Sequence, residues 1–198
     1  EAEGIGAIAI GADGKDTTVI NTKSSTVGTG QSSVNKTNKE HYKDIAGVYL
    51  EHINNLDLFT SAKTKSKDGA IAIGSQAYGE GVWSNAFGVR ARSEGFASTA
   101  VGTGSHAQGK GSVALGAGAN ATENWSVAIG AGSIAQGTGS SPTATTTAYD
   151  PSNTLTADQK GTDKYGVVSV GRDKTSDVVR RRITNVGAGA SDTDAVNV

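Results

Sequence analysis

Ser98-Thr99-Ala100-Val101-Gly102, Ser112-Val113-Ala114-Leu115-Gly116 and Ser126-Val127-Ala128-Ile129-Gly130 are one phrase written three times at a spacing of 14 residues. Ala70-Ile71-Ala72-Ile73-Gly74 and Ser84-Asn85-Ala86-Phe87-Gly88 extend it backwards without a slip in register. Ala7-Ile8-Ala9-Ile10-Gly11 and Val167-Val168-Ser169-Val170-Gly171 read the same way near the two ends. A strict short period makes each unit one turn of a stack, because a single unit cannot bury its own apolar face.

Numbered from its glycine, each unit of the array over 69–137 carries Ser or Ala at −4 and −2 and mostly larger, apolar residues at −3 and −1. That alternation is the period-two signature of a strand with unlike faces. A second short alternation of small residues follows at +3 and +5, as in Ala91 and Ser93 or Ala119 and Ala121. Glycine at +7 (Gly81, Gly95, Gly109, Gly137) then supplies a turn. Fourteen residues therefore predict two short strands and two turns, with like strands stacked in parallel about 4.8 Å apart. Small residues line the interior, so the coil is flat. Ile10, Ile73, Phe87, Val101, Leu115, Ile129 and Val170 fall on the opposite face by strand parity. Seven such residues in a row exceed what a soluble monomer ordinarily exposes, so the spacing predicts that stripes from several chains meet around a common axis.

Composition narrows the chemistry. The 198 residues include 28 Gly, no Cys, no Met and only 5% aromatics, which excludes disulfides, thiol chemistry and a conventional large-residue core. A net charge of −1 gives no support for nucleic acid or an anionic membrane as partner. No apolar run is long enough to span a bilayer. With no signal peptide at Glu1, the chain is expected to be mature, truncated or cytosolic.

The array is interrupted twice. Residues 12–68 hold eight Lys and seven acidic residues, whereas residues 69–137 hold six charged residues with no net charge. The first stretch reads as an insertion between coils. In it, Tyr42, Ile45, Tyr49, Ile53 and Leu56 mark one face of a helix over 38–56, with Thr37 and Glu40 as a capping box. The expected role is a packed lid over the stack, with a recognition helix as the alternative. The second insertion, 138–164, reads as a surface hairpin around Asp150-Pro151-Ser152-Asn153. Residues 165–179 read as a last coil.

The Ser-x-Ala-(Ile/Val/Leu)-Gly phrase at this spacing resembles the head repeats of trimeric autotransporter adhesins of the YadA type. Arg181, Arg182, Ile183, Thr184, Asn185 and Val186, followed by Asp194, Ala195, Val196, Asn197 and Val198, resemble the neck that joins such a head to a coiled-coil stalk. Gly187 departs from the Ala usual in the family. The resemblance covers 4–11, 69–137 and 166–198, with 180–198 as the neck. It implies an all-β, left-handed parallel β-roll assembled as a homotrimer. It also implies display on the outer membrane of a Gram-negative cell through a stalk and barrel beyond Val198, adhesion to extracellular matrix, cells or abiotic surfaces, and no enzymatic activity. A structural spacer carrying adhesive domains elsewhere is the competing expectation. An acyltransferase-like β-helix fits less well, since those stacks are three-sided with six-residue sub-repeats.

No site chemistry competes with this reading. His41, His52 and His106 are scattered and lack converging partners for a metal. No Gly-x-Ser-x-Gly elbow or phosphate-loop phrase occurs. Glu80, Glu94 and Glu123 are too dispersed for a carboxylate pair. No cofactor is expected. Trp83 and Trp125, both at −5 and three coils apart, read as edge packing or as exposed ligand contacts. Arg90 and Arg92 with Glu80 and Glu94 read as a mixed-charge surface patch, with a ligand contact as the sharper alternative. Arg180-Arg181-Arg182 is the densest basic run. It is expected to pair with Asp173, Asp177, Asp192 and Asp194 of neighbouring chains in the neck, so that Arg182→Ala lowers the melting temperature of the assembly.

Overall fold

The computed structural model describes residues 2–11, 24–26, 35–47, 65–136, 166–174 and 177–186. Two parallel sheets lie face to face. The first has the order β1 (Ile8–Ile10), β5 (Ile71–Ile73), β7 (Asn85–Phe87), β9 (Thr99–Val101), β11 (Val113–Leu115), β13 (Val127–Ile129) and β15 (Val168–Ser169). The second has the order β4 (Lys65–Ser66), β6 (Tyr78–Gly79), β8 (Arg92–Ser93), β10 (His106–Ala107), β12 (Asn120–Ala121) and β14 (Ile134–Ala135). The expected parallel β-roll of 14-residue coils is therefore present. Its register follows the repeat: Ala72 pairs with Ala86, Ala86 with Ala100, and Ala114 with Ala128.

The interior is made of small side chains. Ala72, Ala86, Ala100, Ala114 and Ala128 meet Ala77, Ala91, Ala107, Ala121 and Ala135, all fully buried. Serine serves here because it is small and its hydroxyl can satisfy a turn carbonyl. Ser98 Oγ donates to Gly95 O at 2.7 Å, and Ser126 Oγ to Glu123 O at 2.7 Å. These two hydroxyls are thereby paired, whereas the buried hydroxyls of Ser66, Ser84 and Ser112 have no hydrogen-bond partner.

Hydrogen bonds between coils run through strands and turns alike. Thr99 N donates to Ser112 O at 2.9 Å and Gly102 N to Phe87 O at 2.8 Å. The repeat glycine is required twice over. Gly102 has φ +126, a region closed to residues with a Cβ, and a Cβ there would lie 2.6 Å from the carbonyl carbon of Gly116 in the next coil.

Each coil has two edges. The first edge follows the repeat glycine, for example at Val89-Arg90 and Ala117-Gly118. The second edge follows the short strand, for example at Phe96-Ala97. At both edges one residue has positive φ, which aims its N–H along the stack. Arg90 N bonds Ser75 O at 2.9 Å, and Trp83 N bonds Asp68 O at 3.0 Å.

Within the first insertion, β2 (Ser24–Thr26) and β3 (Asn35–Thr37) pair antiparallel, and α1 (Asn38–Ala46) follows directly. α1 begins where the capping signal places it and turns out at Gly47, φ +77, whose N–H bonds Lys43 O. The remainder of the expected 38–56 helix, and the expected 138–164 hairpin, lie outside the described residues. After β15 the chain forms an antiparallel pair, β16 (Arg172–Lys174) with β17 (Asp177–Val179), against the end of the stack.

Candidate functional site

Four surfaces of the roll carry side chains that its interior does not need. The first is the outward face of the seven-stranded sheet. Strand alternation turns the −4 and −2 residues inward, so the −1 residues stand outside in register, Ile10 beside Ile73, Ile73 beside Phe87, and Leu115 between Val101 and Ile129. Ile10 is 57% and Leu115 45% exposed, Ile73 and Ile129 are also exposed, and Phe87, Val101 and Val170 are half-buried. The −3 residues Ile8, Ile71, Val113, Val127 and Val168 widen the apolar strip.

The second surface is the outward face of the six-stranded sheet. Arg92 Nη2 lies 3.1 Å from Glu80 Oε2, and Arg92 Nε 2.6 Å from Glu94 Oε1. His106 Nε2 reaches the same Glu94 oxygen at 2.9 Å, and Gln108 Nε2 donates to Glu94 Oε2 at 3.3 Å. An ionised carboxylate only accepts, so the His106 ring carries its proton on Nε2. The His106 hydrogen bond is the main reason the Glu94 carboxyl is held below its ordinary range. Partial burial opposes it, and the charges of His106 and Arg92 add to it.

Arg90 does not belong to this ladder. It sits two residues before Arg92, at the first edge, and is only 1% exposed. The mixed-charge patch is therefore built from Arg92, Glu80 and Glu94 with His106, and Arg90 cannot serve as a surface contact. The cause is the positive-φ turn, which directs position +2 sideways and position +4 outward.

The third surface is the first edge itself. Position +2 is Gln76 and Arg90 in two coils but Gly104, Gly118 and Gly132 in the next three, all with positive φ. The missing side chains leave a furrow, and α1 lies in it. Tyr42 Oη donates to Thr103 O at 3.1 Å, and a Cβ on Gly118 would fall 2.5 Å from Ala46 Cβ. Burial pushes the Tyr42 hydroxyl's pKa well up, against a smaller opposing effect of Arg90. Arg172, buried, donates from Nη1 to Gly132 O at 3.3 Å beside the carboxyl end of α1. Sequence periodicity located the helix but not its seat, although the run of glycines at +2 was a readable signal for it.

The fourth surface is the second edge. Trp83 (φ +59) and Trp125 (φ +64) occupy the position held elsewhere by Gly69, Ala97, Gly111 and Gly166. A bulky residue in left-handed backbone costs roughly 1–2 kcal/mol. Each indole lies over the glycine of the preceding coil: a Cβ on Gly69 would fall 2.5 Å from Trp83 Cδ1, and one on Gly111 2.8 Å from Trp125 Cε3. The rings nevertheless stay open, Trp83 at 61% and Trp125 at 54% exposure. Phe96 packs on Trp83 with centroids 5.0 Å apart and planes tilted by 58°.

At the end of the stack, Arg181 reaches back onto the last coils. Its Nη1 donates to Val170 O at 2.6 Å and Ser133 Oγ at 2.9 Å, and its Nη2 to Ala131 O at 2.6 Å. It caps carbonyls that the next coil would otherwise occupy. Arg182, Ile183, Thr184 and Asn185 are exposed and Val186 is half-buried. Asp194, Val196 and Val198 lie outside the described residues. Among the described residues no group of His, Asp and Glu converges to hold a metal, and no helix is long and apolar enough to cross a membrane.

Together these features define a class: a repeat-built β-roll whose surfaces, rather than a cleft, are available for contact. Residues 93–119 match two copies of the YadA head domain repeat, so this part of the array is similar to that repeat. Among solved structures, the collagen-binding domain of the Yersinia adhesin YadA is similar at 29% identity, over 68% of this chain and 59% of that one, with a TM-score of 0.48. The chain thus spans somewhat under two thirds of that domain's length. No curated protein matches it.

Proposed function

We propose that the chain is the head of a surface adhesin that works as a homotrimer. Three rolls pack their apolar faces around a common axis parallel to the stack, and their outer faces and inserted segments contact a matrix protein, a cell or a bare surface. The observation that supports this is the row from Ile10 to Val170. The interior is complete without it, yet it places large apolar residues at every level of the seven-stranded sheet. Burial is worth roughly 1.5–3 kcal/mol for each such side chain. Three copies on one shaft raise avidity without a deep pocket.

Arg181, Arg182, Ile183, Asn185 and Val186 lead, in this reading, through a neck to a stalk and an outer-membrane anchor of a Gram-negative cell. Collagen, which the similar Yersinia domain binds, is the first matrix protein to try. The experiment is adherence of the head, fused to a trimeric coiled coil, to collagen, fibronectin, laminin and plastic, against the coiled coil alone. Binding above that control to any of these surfaces is the expected result. Binding to none of them would leave the spacer role as the better account.

A further inference from the structure

The two edges of the roll are unlike in a way that neither the interior nor the apolar face requires. The second edge projects Val82, Trp83, Phe96 and Trp125, all exposed. The first edge is low at Val89, half-buried, and Arg90, buried, and farther along its furrow over Gly104 and Gly118 is filled by α1 of the same chain. Tryptophan at the second edge is also held in a backbone conformation that glycine occupies in other coils. Aromatic side chains of this kind, standing proud beside an apolar strip, have the composition of an interface core.

Symmetry supplies the partner. A threefold axis parallel to the stack, with the apolar faces turned inward, sets the second edge of each copy beside the first edge of the next. It does so at constant height, so coils of equal number face each other. Such a contact is heterologous and closes into a ring. The aromatic second edge, and a first edge that offers Val89 and the exposed Ile45 of α1, are the two halves that it needs. The apolar strip also runs on into the aromatic edge, since Val82 and Trp83 directly precede Ser84 and Asn85 of the long strand.

We infer that Trp83 with Phe96, and Trp125 above them, seat against the first edge of the neighbouring copy, with Trp83 and Phe96 meeting the turn at Val89 and Trp125 meeting the stretch carrying α1, whose Ile45 is 51% exposed. This rests on the trimeric reading above and adds the corner contacts to it.

The test uses the fact that Trp83 and Trp125 are the chain's two tryptophans. Acrylamide quenching of their fluorescence is measured on the coiled-coil-fused wild type and on an unfused Leu115→Glu, Ile129→Glu variant that sedimentation shows to be monomeric. The expected result is a quenching constant at least threefold lower in the trimer, with an emission maximum shifted to the blue. Equal quenching in a protein that sediments as a trimer overturns the corner contact while leaving the trimer intact. In that case, protection appearing only on adding collagen or an oligosaccharide assigns the edge to an external ligand instead. A wild type that sediments as a monomer without the fused coiled coil at micromolar concentration overturns the trimer and this contact together.

A second measurement does not depend on the monomeric variant folding. The chain has no cysteine, so Val89→Cys with Phe96→Cys introduces the sole thiols. Within one chain they lie on opposite edges of the coil, roughly 15 Å apart by strand length and beyond disulfide reach. Oxidation is expected to give covalent dimers and trimers. Monomer alone after oxidation counts against the contact.

Discussion

The two outer faces of the roll stand on the same interior and differ in almost everything else. Along the seven-stranded sheet the outward positions are Ile10, Ile73, Phe87, Val101, Leu115, Ile129 and Val170. Along the six-stranded sheet the middle of the outward face is Glu80, Arg92, Glu94, His106 and Gln108, joined by ion pairs and hydrogen bonds, with Tyr78 on one side and Asn120 and Ile134 on the other. Alanine and serine fill the space between the sheets on both sides. Folding of the coil therefore constrains the inward residues and leaves the outward ones open to selection for other purposes. The apolar face is costly to leave in water and the polar face is not, and the proposed trimer rests on that contrast.

The comparison can be broken most severely on the apolar side. Leu115→Glu together with Ile129→Glu places charges where burial is proposed, and removing two large side chains alone forfeits roughly 3–6 kcal/mol per copy. Sedimentation is expected to show monomers, with the circular dichroism spectrum of the roll retained. Gln136→Glu on the opposite face is expected to leave the assembly unchanged. Trimers surviving the double substitution would remove the distinction between the faces.

A smaller effect tests what the faces share. Gly102→Ala forces a Cβ into left-handed backbone and against the Gly116 carbonyl group. It is expected to destabilise the roll by roughly 3 kcal/mol or more, a strain-type loss, seen as a lower melting temperature. Lys110→Ala, at an exposed turn position that needs no glycine, is expected to change stability by no more than about 0.5 kcal/mol.

The smallest effect belongs to the polar face. Glu94 has a folded pKa below its ordinary 4.5, so its contribution is present in full above that value and is lost as pH falls through the lower folded value. The ladder is partly exposed, which limits it to about 1 kcal/mol. Melting curves between pH 6 and pH 3 should fall less steeply for Glu94→Gln than for the wild type. Identical slopes would mean that the ladder adds nothing to stability.

Most of the roll was legible because its rules are local. Strand parity placed Ala86 inside and Phe87 outside, and the 14-residue spacing foretold the pairing of β7 with β9. What parity could not supply was the direction of turn residues. Arg90 and Arg92 look equivalent in sequence, yet the positive φ at Arg90 turns it into the buried first edge while Arg92 joins the ladder. Arg181 was legible as part of a basic neck motif, but two of its partners are main-chain carbonyls 11 and 50 residues away, and carbonyls leave no mark in a sequence. The left-handed backbone at Trp83 and Trp125 was readable in principle, since Gly6, Gly69, Gly111 and Gly166 share their position.

The contact between successive repeat glycines also makes this molecule a ruler with fixed graduations. A duplicated 14-residue unit lengthens the rod by about 4.8 Å and continues every row unchanged. An addition of one residue within a strand would exchange inside for outside. Longer sequence can still be accepted, because β1 and β5, and β13 and β15, stay in step across the inserted sequence between them, with Ile8 beside Ile71 and Val127 beside Val168. Reach and decoration can thus change independently, the first in quanta and the second in excursions of any length.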